Sequence, residues 1–114
     1  VFNVMARNCD NHTKNFSFIM DKTGQWKFAP AFDVCHSFRP GSTWVSQHSL
    51  SINGKRQNIT RDDLLHVAKN MNIKKADTII NQINAVVNRW NHFAEQTRVK
   101  ADLRDAIGKT LLHL

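Results

Sequence analysis

The alternation of apolar and polar positions divides the chain into two regimes. Val1, Val4 and Met5 fall on one face at helical spacing, which predicts an opening helix that ends before Asn8. Asn8 to Asn15, with three Asn and one Asp, is polar and turn-prone and reads as a loop. Phe16, Phe18 and Met20 then alternate with Ser17 and Ile19, and Asp21-Lys22-Thr23-Gly24 supplies turn chemistry. Trp26, Phe28 and Ala29 continue beyond it, so the stretch predicts a β-hairpin. Pro30 stops its second strand, because proline has no N–H for the ladder. Residues 32–47 have no clear period, and Pro40-Gly41 marks a turn within them. Leu50 and Ile52 flank Ser51 ahead of Asn53-Gly54, which predicts a short strand and a tight turn.

From Thr60 the period becomes helical. Thr60-Arg61-Asp62-Asp63 resembles a capping box, with carboxylates where a helix N-terminus is electropositive. Leu64, Leu65, Val67 and Ala68 give this helix its buried face. A second helix is predicted from about Lys75 to Gln96, its apolar stripe being Ile79, Ile80, Ile83, Val86, Val87, Trp90, Phe93 and Ala94. A third is predicted from about Lys100 to Leu112, with Leu103, Ala106, Ile107, Leu111 and Leu112 facing inward. The expected fold class is α+β, mainly α: a loop and hairpin in residues 1–38, then a helical part in residues 60–114, within one domain spanning 1–114.

Composition narrows the class. At 114 residues, with 41% apolar and 22% charged positions, the chain is long enough for a packed core without metal or disulfide staples. It is too short for a complete two-lobed nucleotide enzyme or a full barrel. Sixteen Lys+Arg against nine Asp+Glu give a net charge of +7, which favours acidic partners such as nucleic acid, nucleotide phosphates or an acidic protein face. The charge is spread out, so it equally describes a well-solvated basic surface. Two cysteines, Cys9 and Cys35, are too few for a disulfide framework, and a reducing compartment is the simpler reading. No signal-peptide pattern or membrane-length apolar run occurs, so a cytoplasmic location without a membrane partner is expected. The chain starts at Val1 in an already helix-compatible stretch, which reads as part of a longer protein.

The chemistry concentrates in Asn8-Cys9-Asp10-Asn11-His12-Thr13-Lys14-Asn15. Phosphoryl transfer from ATP needs a carboxylate at the attacking hydroxyl and hard oxygen ligands for the metal ions that bridge the phosphates. Protein kinases place the carboxylate and an amide ligand on one loop as Asp-x-x-x-x-Asn, and the second metal ligand is an Asp just after the following hairpin. Asp10 and Asn15 have that spacing, the predicted hairpin follows, and Phe32-Asp33-Val34 comes just beyond it. Asp and Asn also cap helices and make turns, so the spacing alone leaves a structural role open. Cys9, His12, Cys35 and His36 lack a paired zinc-ligand spacing, and no oxyanion-hole motif accompanies a Cys–His pair.

The fuller string Asn8-x-Asp10-x-His12-x-Lys14-Asn15-Phe16-Ser17, followed by Pro30-x-Phe32-Asp33-Val34, resembles the C-terminal domain of HipA-like serine/threonine kinases, the toxins of bacterial toxin–antitoxin pairs. The resemblance continues through Ser51-Ile52-Asn53-Gly54-Lys55-Arg56, Ile59-Thr60-Arg61-Asp62-Asp63-Leu64-Leu65 and Trp90-x-x-Phe93-Ala94. It implies a kinase-like C-lobe fragment in which Asp10 is catalytic, Asn15 and Asp33 bind Mg²⁺, and His12 and Lys14 lie near the transferring phosphate of ATP. His12 stands where ordinary protein kinases have Lys, a pattern that lipid kinases of the phosphoinositide type share. Where family members often have Gly, this chain has Asn11, which tolerates a tight turn.

The chain has no glycine-rich phosphate loop and no kinase strand lysine. The resemblance implies that these belong to an N-terminal portion, and that the fragment alone transfers phosphate poorly. The implied partners are a helix-turn-helix, HipB-like antitoxin, operator DNA through that complex, and a protein substrate such as an aminoacyl-tRNA synthetase. The alternative is a non-catalytic basic helical module that docks DNA or an antitoxin.

Overall fold

The structure, a computed structural model, describes all 114 residues. It is α+β and mainly α, as expected. The elements are α1 (Phe2–Met5), a 3-10 turn (Thr13–Asn15), β1 (Phe18–Met20), β2 (Trp26–Phe28), α2 (Arg61–Asn70), α3 (Ala76–Val87), α4 (Trp90–Gln96) and α5 (Ala101–Gly108). No helix is long and apolar enough to cross a membrane.

The hairpin forms where its alternation and turn chemistry place it. β1 and β2 pair antiparallel, Phe18 opposite Phe28 and Met20 opposite Trp26. Asp21 Oδ1 accepts from the Thr23 and Gln25 N–H groups and the Thr23 hydroxyl, and Gly24 takes φ +81° to close the turn. Phe18 meets Phe28 edge-on at 5.3 Å between centroids. Alternation normally marks a half-buried strand, yet every residue of both strands is exposed. Nothing in the chain covers either face.

The expected strand at Leu50–Ile52 is reduced to one bridge, Ile52 to Lys55, across a turn whose central residues Asn53 and Gly54 have φ +51° and +76°. The turn chemistry is right, but the segment has no partner strand. Its polar groups turn instead to α2. Asn53 Nδ2 and Lys55 Nζ donate to the buried Asp63 carboxylate at 2.8 and 2.9 Å. Asp63 also completes the capping box, accepting from the Thr60 N–H at 2.8 Å while the Thr60 side chain accepts from the Asp63 N–H. These bonds, Lys55 foremost, hold the Asp63 carboxyl well below the usual carboxylate range.

The predicted helix over 75–96 is two helices. Asn88 still bonds back to Asn84 at 2.9 Å, but the Arg89 N–H tightens onto Val86 at 3.0 Å and the ladder breaks there. The break swings Trp90 so that its indole N–H donates to the Arg104 carbonyl at 2.8 Å, joining α4 to α5. Gly108 packs beside it, where a Cβ would stand 3.4 Å from the Trp90 ring, in van der Waals contact. The last helix ends at Gly108 rather than Leu112. Beyond it the Thr110 hydroxyl donates to Ile107 O and the Leu112 N–H donates to Met5 O at 2.9 Å, docking the terminus on α1.

The core is a cluster of Val4, Met5, Ile59, Leu64, Ile80 and Val87, closed by half-buried Ile52, Leu65, Ile83, Leu111, Leu112 and Leu114. Arg61 braces α2 against α3 and the terminus, reaching Asp77, Asn81 and the Leu114 carbonyl. Several residues predicted to face inward do not. Ile79, Val86, Phe93 and Leu103 are exposed large hydrophobics, and Ala106 is exposed too. The break redirects α4 and with it Phe93, α5 packs mainly on Trp90, and the small core leaves Ile79 and Val86 of α3 uncovered. The length permits a larger core than forms, for only 13 of 114 residues are buried. The radius of gyration is 15.6 Å, against about 13 Å for a compact domain of this length.

Candidate active site

The polar segment after α1 is built on its backbone. Arg7 takes φ +56°, which turns the chain out of the helix, and its guanidinium lies 3.6 Å over the Phe38 ring. Asn8 and Ser37 then form a parallel bridge, with the Ser37 N–H on Arg7 O at 3.0 Å and the Cys9 N–H on Ser37 O at 3.2 Å. On the other side the Ser49 N–H donates to Cys9 O at 2.9 Å. The loop is therefore clamped between two segments that follow it in sequence.

Each predicted site residue has a definite place. The Asp10 N–H donates to Ser37 Oγ at 3.1 Å, and its carbonyl accepts from the His12 N–H and from Asn15 Nδ2, each at 3.0 Å. Its carboxylate has no partner within the chain. Asn15 lies at the end of the 3-10 turn, and with its NH₂ spent on Asp10 its Oδ1 is left free. Asp33 holds φ +52°, a left-handed conformation that Asp tolerates at some cost, and its carbonyl accepts from Asn8 Nδ2 at 3.4 Å. His12 is half-buried with Nδ1 buried and unpartnered, and Lys14 is exposed without an ion pair.

The structure brings Asn15 and Asp33 to one cleft of about 400 Å³. Asp10, His12 and Lys14 are not among its walls, and Asp10 reaches the cleft only through its bond to Asn15. The walls are otherwise largely apolar, including Phe2, Phe16, Phe28 and Phe32. A free amide oxygen and a carboxylate are hard donors suited to Mg²⁺, which takes few protein ligands and completes its shell from water and phosphate. No three His, Cys, Asp or Glu side chains converge anywhere in the chain.

Several residues contribute through contacts that the sequence did not disclose, and one of them, His48, carried no sequence signal at all. Asn11 is 4% exposed. Its φ is not positive, so the turn tolerance expected of it is not what the fold uses. Its Oδ1 accepts from the Ser49 and Leu50 N–H groups at 3.1 and 3.5 Å, tying the loop to a distant segment. His48 is buried with Nε2 4.0 Å from Cys9 Sγ. Burial pushes the Cys9 thiol up against a smaller opposing pull from Arg7. Burial, reinforced by Arg7, pushes the His48 imidazole down. Both shifts favour a neutral thiol beside a neutral imidazole, the reverse of an activated nucleophile. His36 is lowered by burial and then by Arg7. The Thr110 hydroxyl spends its one proton on Ile107 O, so His36 Nε2 donates to Thr110 Oγ1 at 2.8 Å. Cys9 and Asn11 lie in the quoted motif, but their partners, like that of His36, come from segments that no local pattern encodes.

Neither a search of curated proteins nor one of solved structures finds a match. A family model of the HipA-like C-terminal domain matches residues 1–90, which include the clamped loop, the hairpin, Asp33 and the capped helix α2. With the match spanning most of its length, the chain belongs to the HipA-like C-terminal domain family, and with it to the setting of HipA-like toxins.

Proposed function

We propose that this chain is the catalytic and metal-binding part of a HipA-like serine/threonine protein kinase that moves the ATP γ-phosphoryl group to a protein hydroxyl. The observation that carries this reading is the cleft shared by Asn15 and Asp33, with the Asn15 amide bonded to Asp10. The reading is supported by two residues with hard-oxygen side chains lining one cleft beside a loop whose carboxylate is unspent. In the proposed step the substrate hydroxyl oxygen bonds to the γ-phosphorus, the bridging P–O bond to ADP breaks, and the hydroxyl proton passes to Asp10. Asn15 Oδ1 and Asp33 would hold Mg²⁺, which when bound neutralises charge on the phosphates. His12 and Lys14 serve the transferring phosphate, and the phenylalanine walls suit a planar base. The family setting makes a helix-turn-helix antitoxin and a cytoplasmic protein substrate, such as an aminoacyl-tRNA synthetase, the partners to try first.

The test is Asp10→Ala in the full-length protein that carries this chain, assayed with radiolabelled MgATP. Losing a positioned base lowers transfer by about 100-fold or more, with the circular dichroism spectrum unchanged. Wild-type transfer rates in that variant would remove Asp10 from the mechanism. Retention of DNA without any Mg²⁺ dependence would favour a binding module instead.

A further inference from the structure

Four hydrogen bonds run from Asn15 to Asp33 through two side chains that the proposed chemistry does not use. Asn15 Nδ2 donates to the Asp10 carbonyl at 3.0 Å, and the Asp10 N–H donates to Ser37 Oγ at 3.1 Å. Ser37 Oγ donates in turn to Asn8 Oδ1 at 2.9 Å. Asn8 Nδ2 donates to the Asp33 carbonyl at 3.4 Å and to Asn3 Oδ1 at 3.1 Å. Asn8 is 2% exposed, so both ends of its amide need partners and both have them. The relay is therefore a satisfied network, the kind that specifies one geometry.

The relay has work to do because the covalent route between Asn15 and Asp33 is a poor ruler. That route is the hairpin, whose strands are exposed on both faces. Asp33 moreover sits at φ +52°, a left-handed conformation that Asp tolerates at some cost and that a fixed contact helps to hold. The bond from Asn8 to its carbonyl reaches it from the loop side, and Asn8 is itself bridged to Ser37 through the backbone. We propose that Asn8 and Ser37 are positioning residues that set the separation of Asp10, Asn15 and Asp33, so that both metal donors engage one ion as a unit. This rests on the reading of Asn15 and Asp33 as metal donors, and it adds the device that aligns them. Neither residue touches the metal or the phosphate.

The test uses the full chain and Mn²⁺, a paramagnetic stand-in for Mg²⁺, read through broadening of the Asn15 and Asp33 amide signals in NMR. In the wild type both signals broaden with one shared midpoint. Ser37→Ala weakens binding about 10- to 100-fold, the usual effect of removing a group that orients a metal ligand. It also splits the two midpoints. Ser37→Thr, which keeps the hydroxyl, restores the shared midpoint. Melting temperatures are taken alongside, because a merely structural role lowers them while leaving one midpoint of unchanged affinity. If Ser37→Ala does not fold, Ser37→Cys replaces it with the same expectation. Unchanged affinity and a shared midpoint without the hydroxyl overturn the positioning role and leave the metal-site reading standing. Absence of broadening at both amides in the wild type overturns the metal-site reading, and this inference with it. Failure of Ser37→Thr to recover the shared midpoint also overturns the inference.

Discussion

Asn11 separates what a residue type discloses from what a residue does. Asparagine in a turn-rich loop is legible, but the use of its side chain to hold Ser49 and Leu50 is not, because those partners are far along the chain. Asn11→Gly should leave the Leu50 N–H without its acceptor, while the Ser49 N–H keeps Cys9 O, and cost about 1 kcal/mol, read as a lower urea midpoint. A glycine tolerated without loss would show that the contact is dispensable. His48 makes a second case. It is buried against Cys9, and desolvation and Arg7 both disfavour its charged form. The unfolded chain takes up that proton near pH 6.5 or so, so the unfolded state binds more protons as pH falls. The stability that neutral His48 contributes is thus present above about pH 6.5 and lost as pH drops toward the folded value. His36 acts in the same direction. Urea midpoints should fall between pH 7.5 and 5.5, and His48→Gln should flatten that slope without abolishing it. An identical slope in the variant would remove His48 as the source.

At the scale of elements, the legible ones end in side-chain chemistry a few residues long. The hairpin follows from alternation plus the Asp21–Gly24 turn, and α2 follows from the Thr60–Asp63 box. Thr60→Ala should cost about 1 kcal/mol, or roughly 4 °C of melting temperature for a chain of this size. An unchanged melting curve would mean that Asn53 and Lys55 hold the helix start without the cap. Asp63, whose pKa is depressed, adds the opposite charge type with the same sign. Its contribution is present above about pH 4 and lost as pH falls below that. The break at Asn88-Arg89 was not legible, because the stripe from Ile79 to Ala94 is periodic across it. At the break Trp90 bonds to Arg104, a residue of the next helix, a contact that the periodic stripe does not record.

For the molecule as a whole, the small core is the governing fact. Met5 is fully buried at its centre, and its carbonyl also receives the Leu112 N–H. Met5→Ala should cost about 2–5 kcal/mol, a large part of the 5–15 kcal/mol or so that holds a typical domain. Chemical denaturation would show it, and a cost below that of Thr60→Ala would mean that the core lies elsewhere. The exposed aromatic hairpin and the radius of gyration of 15.6 Å describe a chain that covers little of its own apolar surface. By itself the sequence determined the fold class, the hairpin, the capped helix, the order of Asp10, Asn15 and Asp33, and the family. Turns, caps and motif spacing are set by backbone and hydrogen-bond chemistry over a few neighbouring residues, so they can be read from a string. The tertiary structure alone decided where the long apolar stripe breaks, which of its residues are buried, that Asn15 and Asp33 share a cleft, and that Asn8 and Ser37 join them. Those outcomes depend on partners brought together from distant segments, and local periodicity carries no record of which segments will meet.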